Sequence, residues 1–259
     1  MGVLNVTPDS FSDGGKFMTV AAALRHAEQM VAEGADIIDV GGESTRPGAQ
    51  QISVQQELDR VIPVIEALHA AVTVPVSIDT SKPEVMRHAT AAGAGLINDV
   101  YGLRRKGALA AAAVSGVPVC VMHMQGEPHT MQQSPTYDNV VTDVIAFLSA
   151  RRDACVEAGI PPASVIVDPG FGFGKTVAHN LALLRNLTAL TALGAPILVG
   201  LSRKSMIGSL LDLPVDERIA ASVALALHAV QHGANIVRVH DVKMTRDAVR
   251  MMEIVNRHD

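Results

Sequence analysis

One phrase recurs along the chain and restricts its fold more than any other feature. EGADIIDVGG from Glu33, AGAGLINDVYG from Ala92, SGVPVCVMHM from Ser115, LGAPILVGLS from Leu193 and HGANIVRVHD from His232 share one plan. Each closes an Ala-rich helical segment on a glycine, runs through a short apolar stretch and stops at polar residues. The glycine suits the position just past a helix, where φ is often positive. The Val- and Ile-rich run after it does not alternate, so it reads as a strand buried on both faces, as in a parallel sheet. Val3–Val6, Val76–Asp79 and Val165–Asp168 fit the same rhythm.

Eight strands in 259 residues make one βα unit every ~32 residues, the spacing of a (β/α)8 barrel. Helices are expected over 19–32, 54–71, 83–92, 108–115, 139–158, 177–190, 216–232 and 245–256, with Pro83 at a first helical position. No linker or composition break divides residues 1–259, so a single α/β TIM-barrel domain is expected. An open doubly wound sheet is the alternative architecture.

In a barrel, chemistry gathers where the strands end. The tips carry Asn5, Asp39, Asp79, Asn98, His123, Asp168, then Ser202 with Arg203 and Lys204, then Arg238 with His240. A strand period of two puts Arg238 and His240 on one face. Each tip taken alone has a plainer reading. An Asp can cap the next helix, His123 can be a satisfied core histidine, and Asp39 and Arg238 can be a structural ion pair. Charges gathered at the ends of so many apolar strands fit a common site better, because buried charge is costly unless paired. Carboxylates and an Asn in a narrow mouth suit a flat heterocycle with an amidine-like edge. Asn5, Arg46, Arg238 and His240 suit an oxyanion, with room for a Mg2+ held by few protein ligands and several waters. The loop NVTPDSFSDGGKF after the first strand reads as a lid.

The stretch VIVDPGFGFGKT, Val165–Thr176, imitates a P-loop. Its spacing fails: the position that needs the first glycine is Pro169, which has no N–H for a phosphate. Gly170, Gly172 and Gly174 alternate strictly, so the dinucleotide fingerprint fails as well. Other classes fall away on composition. A net charge of −5 with 18% charged residues argues against nucleic acid. No apolar run reaches the ~18 residues of a membrane helix, and no signal-like segment opens the chain, so a cytoplasmic protein is expected. Cys120 and Cys155 are too few and too far apart for a metal knuckle and are expected to be reduced.

In series, NVTPDSFSDGG (5–15), GGESTRPGA (41–49), SIDTSKP (77–83), INDV (97–100), HMQG (123–126), DPGFGFGK (168–175), GLSRKSMIG (200–208) and RVHDV (238–242) resemble the dihydropteroate synthase family, over nearly the whole chain. The resemblance implies condensation of 6-hydroxymethyl-7,8-dihydropterin diphosphate with 4-aminobenzoate, giving 7,8-dihydropteroate and pyrophosphate by dissociative C–O cleavage, in a sulfonamide-sensitive step of folate biosynthesis. It implies that Asp79, Asn98, Asp168 and Lys204 hold the pterin, with Arg238 flanking the ring and Asp39 orienting the set. Asn5, Arg46 and His240 would hold the diphosphate, Asn5 as the direct ligand to Mg2+. Phe11, Thr45, Pro47, Phe173 and Ser202 would line the aminobenzoate pocket, and Asp13 would arrive with the first loop as a catalytic group beside Asp79, Asp168, Lys204, Arg238 and His240. A homodimer is implied too. The family pattern carries an N-terminal hairpin that is missing here, so the barrel floor is expected to be less well plugged. A methyltetrahydrofolate-binding methyltransferase barrel shares the acid and Asn tips but needs no oxyanion site, against which Arg46 and the SRK triplet argue.

Overall fold

The computed structural model describes residues 1–7, 19–44, 50–128 and 130–257. Its strands are β1 (Gly2–Asn5), β2 (Ile38–Gly41), β3 (Val76–Asp79), β4 (Leu96–Asp99), β5 (Val119–Met122), β6 (Val165–Asp168), β7 (Leu198–Val199) and β8 (Ile236–Val237). Its helices are α1 (Val20–Ala32), α2 (Val54–Ala71), α3 (Pro83–Ala91), α4 (Ala108–Ser115), α5 (Val140–Glu157), α6 (Val177–Arg185), α7 (Ser205–Leu211), α8 (Ile219–Gln231) and α9 (Val242–Asn256).

β1 to β6 pair in sequence order and β7 pairs with β8, all in parallel. Single bridges join the two sheets at both ends, Val167 to Ile197 and Gly2 to Val239. Backbone bonds reinforce them: Val167 N–H donates to Pro196 O at 2.9 Å and Val3 N–H to Val239 O at 3.1 Å. The ring therefore closes as a (β/α)8 barrel and the open-sheet alternative is set aside. Closure leaves the parallel strands without an edge, which is why both faces of each can be apolar.

The repeat glycines behave as their positions require: Gly34, Gly93, Gly116, Gly194 and Gly233 take φ between 60° and 110°. Caps begin the helices where the sequence offers them. Ser53 and Gln56 form a capping box on α2, Asn139 caps α5, and Pro83 opens α3. Three helices depart from expectation. α6 stops at Arg185 because Asn186 leaves the helical region, and Leu187–Leu193 continues as a 3-10 turn. Val215–Glu217 is a separate turn, so α8 begins at Ile219. α9 begins directly after the β8 tip at Val242. The short α7 was not foreseen.

Inside the ring, Leu96, Cys120, Ile166 and Leu198 form a buried apolar cluster with Met1, and Ile37 and Ile236 pack against it. These are early residues of their strands, so the cluster is the barrel floor. Met1 belongs to this floor: its side chain joins the cluster and its amino group donates to Val237 O at 3.1 Å. Both cysteines are free and buried, as expected. Among the described residues, no helix is long and apolar enough to cross a membrane.

Candidate active site

Two residues along the even-numbered strands from the apolar floor, the interior turns polar. The even-numbered strands contribute Asp39 (β2), Asn98 (β4) and Asp168 (β6), and Arg238 follows β8, which matches the four-residue layers of such barrels. Arg238 is the centre. Its Nε donates to Asp39 Oδ2 at 2.6 Å and its Nη2 to Asp79 Oδ2 at 2.9 Å, while Asn98 Nδ2 donates to the same Asp39 oxygen at 3.2 Å. Residues 59 to 199 positions apart in sequence thus meet in one hydrogen-bonded set. The Asp39–Arg238 ion pair of the plainer reading is present, as part of this larger network.

Electrostatics follow from depth. Burial, which Arg238 only partly offsets, raises the Asp79 carboxyl from 3.8 to about 7. Burial also raises Asp168, against the pull of the Gly170 amide (2.7 Å to Oδ1) and of Lys204 and Lys175. Lys204 is lowered by burial to about 8, with Asp168 opposing. Burial works against the charge of Arg238 too, yet Asp39 and Asp79 together hold it above its ordinary value. The mouth is therefore a place where protons and charges sit close to balance.

Lys204 Nζ lies 4.4 Å from the centre of the Phe173 ring. Beside the pair opens a cleft of about 290 Å3, lined by Gln132, Gly172, Thr176, Lys204, Ser205 and Met206 among others. Gln132, Ser205 and Met206 escaped the sequence reading. Ser205 directly follows the SRK triplet, and Gln132 lies in the loop after β5. Ser202, expected on an aminobenzoate wall, bonds the other β8-side group of the mouth, His240. Its Oγ accepts the His240 backbone N–H at 3.2 Å and lies 3.0 Å from His240 Nδ1. A Ser202 hydroxyl that donates to Nδ1 corresponds to the tautomer with the ring proton on Nε2. Surrounding protein, then Arg238 and Arg203, keep this imidazole down at about 4, so it is neutral.

His123 takes the plainer of its two readings. It is buried, edge-on to Phe147 at 4.8 Å, and lowered by burial to about 3. Its Nδ1 accepts from Lys175 Nζ at 2.8 Å, and the same ammonium donates to Gly170 O at 2.9 Å and Phe173 O at 3.0 Å. The lysine of the P-loop look-alike is thus an internal clamp on the loop that presents Asp168 and Phe173. Thr176 in turn caps α6.

A hard cation would find little protein ligation here. Among the described residues, no group of three or more His, Cys, Asp or Glu could hold a metal. Two oxygens do share a space over Gly41, where a methyl group would lie 3.5 Å from Asn5 Oδ1 and 3.9 Å from Asp79 Oδ2. That donor set fits an ion that takes most of its shell from substrate and water. Phe11, Asp13, Thr45, Arg46 and Pro47 lie outside the described residues.

Comparison with known proteins agrees with the geometry. Residues 1–240 match the family described as pterin binding enzyme. The dihydropteroate synthase of Haemophilus influenzae is 54% identical over 98% of this chain and 92% of its own length. The chain belongs to the dihydropteroate synthase family. Within that family, the crystal structure of the Yersinia pestis enzyme with a sulfonamide drug superposes with a TM-score of 0.95 at 53% identity, covering 98% of this chain and 92% of the other. The Xanthomonas albilineans enzyme with 4-aminobenzoic acid gives 0.94 at 52% identity, covering 100% and 93%.

Proposed function

We propose that this chain, as one pterin-binding unit over residues 1–259, joins 6-hydroxymethyl-7,8-dihydropterin diphosphate to 4-aminobenzoate in folate biosynthesis, releasing pyrophosphate. The observation that carries the reading is the mouth network, in which Arg238 bridges Asp39 and Asp79 beside Asn98, in a member of this family. An aminopyrimidine edge offers several N–H donors in one plane. Asp168 spends one oxygen on the Gly170 amide and keeps the other for such an edge, and Asn98 offers both a carbonyl and an N–H. Asp79 and Lys204 flank the ring, and Arg238 covers it.

The aniline nitrogen of 4-aminobenzoate is neutral and nucleophilic at pH 7, so the barrier lies in breaking the C–O bond. The bond from the pterin methylene to the diphosphate loosens, the N–C bond forms, and the proton shed by nitrogen passes to the departing diphosphate or to water. His240, neutral, donates Nε2–H to the oxyanion as charge develops, and Arg46 supplies the cationic contact. Asp79 and Asp168 stabilise the electron-poor methylene. A Mg2+ on the diphosphate would neutralise part of the leaving charge, and Asn5 Oδ1, with Asp79 Oδ2 nearby, would hold it. Phe173, Thr45, Pro47 and Phe11 border the aminobenzoate, where sulfonamides would compete, and Asp13 closes the site with the first loop.

A cytoplasmic homodimer belongs to the same reading. The exposed Leu210, Leu211 and Val215 after β7, and Met251, Ile254 and Val255 of α9, are the apolar surface that supports a second copy, and light scattering tests it. The decisive experiment on activity is pyrophosphate release with both substrates. Release that requires 4-aminobenzoate supports the reading. Release without it, or none at all, would falsify it.

A further inference from the structure

We propose that Arg203 and Asp241 are a positioning pair that holds the β7 and β8 tip loops in register, so that Lys204 and His240 face the same reactants. The proposal rests on the roles given above to those two residues. Arg203 immediately precedes Lys204, and Asp241 immediately follows His240. The two side chains meet fork to fork: Arg203 Nε donates to Asp241 Oδ2 at 2.9 Å and Nη2 to Oδ1 at 2.5 Å.

The strands themselves do not set this register firmly. β7 and β8 share only the pairs Leu198–Ile236 and Val199–Val237. Beyond them, the tips are joined by Arg238 N–H to Val199 O, by the Ser202–His240 contact and by the Arg203–Asp241 fork. The fork is anchored with care. Arg203 adopts φ 56°, the left-handed region that L side chains disfavour. Its amide donates to Ser222 Oγ of α8 at 2.9 Å and its carbonyl accepts from Arg218 Nη1 at 3.2 Å. Gly208 of α7 leaves the space Arg218 needs, since a Cβ there would meet Arg218 Nη2 at 2.1 Å. Strain that is over-determined in this way marks a position kept for function.

Stability alone does not account for the pair. With side chains 32% and 12% exposed, the pair is partly screened by solvent, so its Coulomb energy is not its main contribution. A bidentate fork instead fixes two planes relative to each other.

The test uses Arg203→Gly, Arg203→Ala, Asp241→Asn and the double variant Arg203→Gly/Asp241→Asn. Glycine relieves the left-handed backbone while removing the fork, so Arg203→Gly should melt no lower than Arg203→Ala. Each single variant should nevertheless lower kcat/KM for pyrophosphate release on the order of 10²-fold, and the double variant should fall no further than its worse parent. Unchanged kcat/KM in Arg203→Gly, or losses that multiply in the double variant, would overturn the proposal. A crystal structure of Arg203→Gly decides the matter even if the wild-type chain releases no pyrophosphate. The Ser202 Oγ–His240 Nδ1 contact, 3.0 Å here, should open. Its retention, with Lys204 still over Phe173, would count against the pair.

Discussion

The mouth residues owe their chemistry to burial more than to identity. Asp79 shows this best: with its carboxyl raised to about 7, it loses charge as the pH falls through 7 and not near 4. Between those limits the folded state holds a proton that the unfolded chain has released, so this group favours the fold as the pH drops through that window. Pterin binding and kcat/KM should show an acid limb centred near pH 7, and that limb should vanish in Asp79→Asn. A profile unchanged by the substitution would remove Asp79 from the titration. The residue types were legible in the sequence, since each polar tip interrupts an apolar strand. The partners of Lys175 were not. Its ammonium is bound by His123, 52 positions away, and no local pattern announces that contact.

At the scale of elements, two loops depend on features that can be removed singly. The loop after β6 passes so close to β5 that a Cβ on Gly170 would lie 1.9 Å from His123 O, and its φ of 67° adds backbone strain for any residue with a side chain. Gly170→Ala should displace Asp168 and Phe173. We expect it to lower kcat/KM at least tenfold and to cost about 1–3 kcal/mol in chemical denaturation. The loop after β2 is clamped at its shoulder. Lys82 Nζ bonds Glu57, which is fully buried, and Glu43 at 2.7 Å, while Glu43 Oε1 accepts Ile52 N–H at 3.0 Å. Lys82→Met leaves the Glu57 charge without a partner and should cost ~3–5 kcal/mol. Adding Glu57→Leu should recover much of it, as read from urea midpoints. Most helix limits followed from caps and glycines. α7 was missed because seven residues with Gly208 among them carry too short a pattern, and it forms because Met206 and Ile207 are buried in the core.

For the molecule as a whole, Arg238 ties β8 to β2 and β3 across the barrel mouth, so one side chain supports both closure and the site. Arg238→Met should remove activity and cost ~3–5 kcal/mol, because Asp39 would stay buried without its counter-charge. A variant that kept its denaturation midpoint would show that the ring closes without this tie.

The linear pattern alone decided that strands and helices alternate, that the strands are parallel and buried, and which residues stand at their ends. Those properties depend on side-chain period, glycine at helix ends and the cost of apolar surface in water, all of which act over a few residues. Which tips touch was decided only when the ring closed. The Arg238 fork between Asp39 and Asp79, the seat of Ser202 under His240 and the clamp of Lys175 on His123 join residues far apart in the chain, and only three-dimensional packing sets those distances.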